Sequence, residues 1–336
     1  MKTKIVFVLT SSKKDIYLEQ LWVSLYSLRK LMPKGEMYVV LLTDKITEAT
    51  FKGNRQKFLA LIDEKIVVDL DSSMSGLQRS RWLKTKSREL VKGDMLYIDS
   101  DTIFTGRLDD LDNIPCDVGA VKDCHVDRVH SFQSWDKTRT KDFVEKCKLL
   151  GFDVTKEDVT FNGGMVYVKD NEKGHTFFAM WHDEWKKSVK AGFSTDQPSF
   201  TKTNMLLGHP VYDMPGVYNC QVSYGLQYLC RAKILHYYAT SAMGALRELP
   251  YWFMKDSVYE DVREHGEITN MIREALDQPL VMFHKETKIL CDTSVYIASS
   301  RLFFYMQYLY QHHPRWYEFI ERILLLMSKR RKAFRK

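Results

Sequence analysis

The chain carries no cysteine pair at metal-binding spacing. Its six cysteines (Cys116, Cys124, Cys147, Cys220, Cys230 and Cys291) are scattered, with no CxxC among them. That argues against a zinc ribbon and fits a reduced, cytoplasmic protein. The ten histidines show no HxxxH or HxH spacing, so a self-contained zinc motif is missing too. Glycines form neither GxGxxG after the first apolar segment nor GxxxxGK[ST] anywhere, which argues against a dinucleotide-binding fingerprint and a P-loop. Long hydrophobic runs are also lacking. The apolar stretch 5–10 is too short for a signal core, and 302–311 is about half a membrane span. No internal repeat or low-complexity linker interrupts the chain.

What is present is enough apolar material for a large core: 45% hydrophobic residues in 336. The net charge of +7 is local. Lys329, Arg330, Arg331, Lys332, Arg335 and Lys336 supply six positive charges in the last eight residues, leaving about +1 for the rest. A body that coats nucleic acid is not expected from that balance.

Apolar segments alternate with helical spacing through the first hundred residues. Strands are predicted at 4–10, 37–42, 65–69 and 95–99, with helices at 17–32, 48–63 and 80–92 between them. Further strands fall at 117–121 and 165–168, and helices at 176–190 and 196–204. This is the pattern of an α/β fold with a mostly parallel sheet. One α/β domain is expected over 1–245, followed by a helical C-terminal region over 246–336.

The strand 95–98 delivers Asp99-Ser100-Asp101 at its carboxyl end. Residues i and i+2 of an extended chain share a face, and open α/β sheets bind ligands at the carboxyl ends of their strands. Both carboxylates can therefore approach one cation that holds a nucleotide diphosphate. The tripeptide alone is weak, since Asp69-Leu70-Asp71 and Asp110-Leu111-Asp112 have the same spacing. With no glycine-rich phosphate cradle, the diphosphate needs a hard cation on carboxylates. His236, after Lys233-Ile234-Leu235, is the candidate third ligand, and an imidazole among oxygen donors favours Mn2+ over Mg2+. A packed core histidine is the alternative.

An ordered series of blocks resembles family 8 retaining glycosyltransferases, the group of glycogenin and of bacterial galactosyl- and glucosyltransferases. The blocks are Ile5-Val6-Phe7-Val8-Leu9-Thr10, Tyr17 opening a helix, Leu96-Tyr97-Ile98-Asp99-Ser100-Asp101-Thr102 and Phe161-Asn162-Gly163-Gly164-Met165. Thr195-Asp196-Gln197, Tyr218-Asn219-Cys220 and Lys233-Ile234-Leu235-His236-Tyr237 complete the series, which spans about residues 4–240.

The resemblance implies a GT-A type nucleotide-diphospho-sugar transferase domain that moves a hexose from UDP-glucose or UDP-galactose to an oligosaccharide or glycolipid acceptor. It implies that Asp99, Asp101 and His236 bind the metal, and that Thr10, Ser11 and Tyr17 hold the uracil. Arg81 or Lys84 would contact the sugar or phosphates, with Ser100 inside the cofactor-binding motif. Asp123 resembles the donor-sugar carboxylate, Asn162 lies at an Asn-x-Gly turn facing the sugar, and Gln197 sits beneath the anomeric carbon. An exposed helix cation, a loop-capping Asp, ordinary turn chemistry and a helix N-terminal residue are the respective structural alternatives. The family often continues its histidine into HxxGxxKPW, whereas His236 is followed by Tyr237-Tyr238-Ala239-Thr240-Ser241-Ala242-Met243-Gly244. Thr240, Ser241 or Arg247 would then replace the missing lysine. Because Gln197 is a poor nucleophile, retention is expected by front-face substitution.

Pro314 breaks the last helical run. Trp316, Phe319, Ile320, Ile323, Leu324 and Met327 then form one apolar stripe that ends in the basic cluster. That reads as a helix docked on the core, or as 315–336 lying on an anionic membrane at its cytoplasmic face. Two other functions fit Asp99 and Asp101: a haloacid-dehalogenase-type phosphatase, and a scaffold that binds sugar nucleotides without turnover. The first usually carries its motif on the first strand, and here about three strand–helix units precede it.

Overall fold

The computed structural model describes residues 2–125, 137–157, 159–222, 226–237, 251–282 and 300–333. A seven-stranded sheet runs in the order β3-β2-β1-β4-β7-β6-β8. Its strands are β1 (Lys4–Leu9), β2 (Val39–Asp44), β3 (Glu64–Val68), β4 (Met95–Ile98), β6 (Val118–Lys122), β7 (Phe161–Val168) and β8 (Val211–Asp213). A smaller sheet pairs β5 (Thr102–Phe104), β10 (Ile234–His236) and β9 (Cys220–Gln221) in the order β5-β10-β9.

The first four strands of the large sheet in space are parallel, and β7 turns antiparallel to both β4 and β6. β2, β4 and β7 are buried along their whole length, because layers cover both faces of the sheet. On one face α1 (Tyr17–Leu31) buries Leu18, Leu21, Leu25 and Leu28 against Ile5, Phe7 and Leu41. On the other face, α3 (Gly76–Leu90) and α5 (Glu172–Lys190) cover Val6, Tyr97 and Val166. Between these helices lie α2 (Lys45–Glu48) and α4 (Lys137–Leu149); α6 (Gln197–Leu206) follows α5.

Three elements differ from their sequence expectation. The helix expected at 48–63 is the single turn α2 followed by a 3-10 stretch, Gly53–Leu61. Gly53 adopts φ +58° between them, which an α-helix does not accept. α3 begins four residues before the expected 80, because Ser75 and Gln78 close a reciprocal capping box ahead of it. The third difference bears on the site. Asn162-Gly163-Gly164 belongs to the strand β7 and is no turn.

Beyond the sheets, α7 (Asp256–His265) and α8 (Asn270–Asp277) bury Val258, Tyr259, Val262, Ile272 and Leu276 in the same core as α1. The last helices are α9 (Arg301–His312) and α10 (Pro314–Ala333). The latter starts on the proline, whose fixed φ and missing N–H suit a first helical position.

Candidate active site

β1 and β4 are neighbouring parallel strands, so Thr10 and Asp99 leave the sheet at one edge. There the chain switches direction to β7, the kind of place where open α/β sheets hold ligands. The Asp99 N–H donates to the Gly164 carbonyl (2.8 Å) and extends the pairing of β4 with β7 by one residue. β5 then leads Asp101 towards β10, where the Tyr237 N–H donates to the Asp101 carbonyl (3.1 Å). The outcome is that one ligand atom from each of Asp99, Asp101 and His236 lies within 4.8 Å of the others.

The other two Asp-x-Asp pairs do structural work. Asp110 pairs with Lys233 (2.5 Å), and Asp112 accepts from the backbone of Lys2 and Thr3 (both 2.9 Å). Asp69 pairs with Lys45 (2.6 Å), and Asp71 accepts from the Ser73 N–H (2.8 Å). Spacing does not separate the three pairs. Their neighbours in space do.

His236 is buried, with Nε2 3.3 Å from Asp101 Oδ1 and Nδ1 3.0 Å from Asn219 Oδ1. The Asn219 amide nitrogen donates to Asn162 Oδ1 (3.0 Å), so its oxygen faces the ring and takes a proton from Nδ1. Nε2 is thereby aimed at the carboxylates, the orientation a metal-binding imidazole needs. Burial lowers the His236 pKa, but the Asp101 carboxylate outweighs that and raises it. Asp101 moves the other way: burial pushes it up, and the His236 charge brings it below the usual carboxylate range.

Asn162 is a hub. Its Oδ1 also accepts from the Gly164 N–H (2.9 Å), and its Nδ2 donates to Asp123 Oδ1 (2.9 Å). A chain of polar groups thus runs His236–Asn219–Asn162–Asp123. Asn219, quoted in a sequence block without a role, is the link that sequence reasoning missed. Gly163 and Gly164 were missed for a different reason. A Cβ on Gly164 would stand 2.4 Å from His236 Cε1 and 2.8 Å from Asp99 Oδ2, and one on Gly163 would stand 3.3 Å from Lys84 Nζ. The glycines are there so that the cluster can close on the strand.

The cations of α3 meet a carboxylate. Lys84 Nζ lies 2.8 Å from Asp196 Oδ2 and 3.7 Å from Asp99 Oδ1, and Arg81 Nε lies 2.8 Å from Asp196 Oδ1. Burial alone would raise Asp196, yet Lys84 and Arg81 hold it at about 2. Gln197, the first residue of α6, is fixed at both ends of its amide. Its Oε1 accepts from the Gly163 N–H (3.1 Å) and its Nε2 donates to the Phe161 carbonyl. The Tyr97 hydroxyl donates to Asp99 Oδ1.

Thr10 and Ser11 follow β1, and Tyr17 opens α1 with a half-exposed ring. Thr10 Oγ1 donates to the Gly76 carbonyl (3.0 Å), and the Ser11 N–H to Thr47 Oγ1 (3.1 Å). Ser100 lies half-buried between its two aspartates. Thr240, Ser241 and Arg247 fall outside the described residues.

The donor set fits a divalent cation. Two carboxylates and one imidazole converge, and a side chain at Gly164 would fill the space beside them. Hard oxygen donors joined by one imidazole suit Mn2+.

A mostly parallel sheet that carries an Asp-x-Asp cluster at its switch point is the architecture of GT-A glycosyltransferases. The chain belongs to glycosyl transferase family 8, whose model matches residues 8–241. The galactosyltransferase LgtC, solved with donor and acceptor sugar analogs, superposes with a TM-score of 0.51 at 18% identity over 81% of this chain and 99% of that one. Apo mouse xyloside xylosyltransferase 1 gives 0.47 at 14% identity, over 70% of this chain and 97% of its own. At such identities the likeness is one of fold. No curated protein sequence matches the chain. Enzymes of this family use nucleotide-sugar donors and glycan acceptors and generally need a metal. The phosphatase alternative falls with the family assignment.

Proposed function

We propose that this glycosyltransferase moves a hexose, glucose or galactose, from a UDP-sugar to a glycan acceptor with retention at the anomeric carbon. Surface polysaccharide or lipopolysaccharide synthesis is the process it would serve. The observation that carries the reading is the convergence of Asp99, Asp101 and His236 on one point at the sheet's switch edge. Mn2+ is the expected ion, with Mg2+ as a weaker substitute. When bound, it neutralises charge on the departing diphosphate.

The chain's own residues do the rest. Thr10, Ser11 and Tyr17 hold the uracil, while Asp123 and Asn162 orient the donor sugar through a shared hydrogen bond. Arg81 and Lys84 place positive charge beside the phosphates, and Ser100 spaces the two aspartates. Gln197 lines the sugar's far face as a rigid amide, because both its polar ends are committed to β7 backbone. Asp196, the nearby carboxylate, is spent on Lys84 and Arg81. That arrangement favours front-face substitution over a glycosyl-enzyme ester. The acceptor oxygen bonds to C1 as the C1–phosphate bond breaks, and its proton passes to the departing phosphate oxygen.

Residues 1–245 form the nucleotide-sugar domain in this reading, and 246–336 the helical region. Within the latter, 315–336 lies on anionic lipid at the cytoplasmic membrane face. No helix among the described residues is long and apolar enough to cross a membrane. The exposed Trp316, Phe319, Ile323, Leu324 and Met327 would enter its surface instead.

The test is UDP release from a panel of UDP-sugars with each divalent metal, for wild type and Asp101→Asn. Metal-dependent turnover of one sugar, reduced roughly 100-fold or more in the variant, is the expected result. Binding of a UDP-sugar without any turnover would leave the scaffold reading standing.

A further inference from the structure

The site described so far is complete by Tyr237, yet two side chains of α7 reach both halves of it. α7 lies beyond residue 241, where the family match ends. Tyr259 and Arg263 are four residues apart and so share a helix face.

Arg263 approaches Glu19, which is 1% exposed on the first turn of α1. Its Nη2 lies 2.9 Å from Glu19 Oε2, its Nε donates to Oε1 (3.3 Å), and Nη2 also donates to the Asp15 carbonyl. Arg55 grips the same carboxylate from the other side, with Nη1 2.7 Å from Oε1, while its Nη2 donates to the Ser12 carbonyl (3.0 Å). Two arginines on one buried carboxylate thus hold two backbone carbonyls of the loop between β1 and α1. The loop is also closed on itself, since the Asp15 carboxylate accepts from the Ser12 N–H (2.7 Å) and the Tyr17 N–H (3.2 Å).

The far end of α7 is seated on the 3-10 stretch that supplies Arg55. Gly266, its left-handed cap at φ +64°, lies so close that a Cβ would stand 2.1 Å from Asn54 Nδ2. Lys57 Nζ donates to the Gly266 carbonyl (3.0 Å). Tyr259 faces the metal half of the site. Its Oη is 2.5 Å from Tyr237 Oη and donates to the Phe253 carbonyl (2.6 Å), and the rings of Tyr259 and Tyr237 stack 11° from parallel. Tyr237 in turn donates its backbone N–H to the Asp101 carbonyl.

We infer that α7 braces the donor site, and that Arg263 is a positioning residue that sets nucleotide affinity by fixing the Ser11–Tyr17 loop through Glu19 and the Asp15 carbonyl. The inference rests on Thr10, Ser11 and Tyr17 as the nucleobase contacts. A loop already held in its binding shape gives up no ordering entropy when ligand arrives, and charge-assisted bonds to a buried carboxylate are the stronger kind of restraint. Removing Arg263 frees the loop without touching the metal ligands.

The experiment titrates the full-length protein with UDP and with UMP, with and without Mn2+, for wild type, Arg263→Gln, Arg263→Lys and Arg273→Gln. Arg273 on α8 donates to the Ile268 carbonyl (3.0 Å) and stacks on Tyr26 of α1 at 5.5 Å. It is a contact at the same interface with no bond to the loop. Arg263→Gln should weaken UDP and UMP alike by about tenfold, with the Mn2+ concentration for half-maximal effect unchanged. Arg263→Lys keeps the Glu19 pair and loses the second donor, so about a threefold loss is expected. Arg273→Gln should lower Tm and leave both affinities alone. Wild-type affinity in Arg263→Gln overturns the inference, as does an equal loss in Arg273→Gln at equal Tm. If Arg263→Gln does not fold, Arg263→Lys decides: a threefold loss supports the brace, and wild-type affinity removes it. A wild-type chain that binds neither nucleotide takes down the donor reading and the inference together.

Discussion

Two helix pairs follow the catalytic sheet, and they meet opposite fates. α7 and α8 bury Val258, Tyr259, Val262, Ile272 and Leu276 against α1, down to 0% exposure for Tyr259, Val262 and Ile272. α9 has no buried residue, and it meets α10 through Tyr310 and Tyr317 with ring centroids 5.1 Å apart. On this second pair Leu302, Tyr305, Trp316, Leu326 and others stay 41–71% exposed. Apolar periodicity in a sequence states that a helix face will be covered. It does not state by what. For the first pair the cover is the protein's own core, and for the second it must come from outside the described residues.

The contrast can be broken where it is deepest. Ile272→Ala removes a fully buried side chain from the docked pair, so unfolding should cost about 3 kcal/mol less, read by denaturant titration. A loss under about 1 kcal/mol would mean that α8 merely rests on α1. Gly266→Ala is next, at about 2 kcal/mol, because the cap is left-handed and a methyl would strike Asn54. The same change should also weaken UDP, since it displaces α7 from the Arg55 segment. The smallest stability effect belongs to the exposed pair. Leu324→Ala with Met327→Ala should shift unfolding by no more than about 0.5 kcal/mol. The same double variant should, however, lose sedimentation with anionic vesicles that wild type shows at low salt. Retained sedimentation would move the lipid contact away from α10, and a large loss of stability would show that this helix docks on the core after all.

The catalytic sheet offers a similar lesson at smaller scale. The strands β1, β2 and β4 are legible because parallel strands covered on both faces are near-continuous apolar runs. Asp99 and Asp101 are legible as a pair because a two-residue period is a local property. Asn162 was legible as a residue and misplaced as a turn, since Asn-Gly-Gly is ordinary turn sequence. Tertiary contact put it in a strand, where its neighbours Gly163 and Gly164 leave room for Lys84, Asp99 and His236. The helix 48–63 failed for the opposite reason: its apolar spacing is helical, and Gly53 at positive φ divides it.

What the sequence by itself determined is the class of fold, the strand that carries the carboxylates and the order of the family's blocks. Each follows from interactions within a few residues, or from a linear order that any reading preserves. What the tertiary structure decided is which histidine of ten meets those carboxylates, which Asp-x-Asp of three is free to do so, and that Asn219 and Asn162 aim the ring. It also decided that Arg263 reaches Glu19, 244 residues away in the chain. Such pairs are chosen by the path of the backbone between them, and no local period encodes that path. A hydrogen bond acts over about 3 Å, so its partner is settled only once the sheet and its covering helices have brought distant segments to that range.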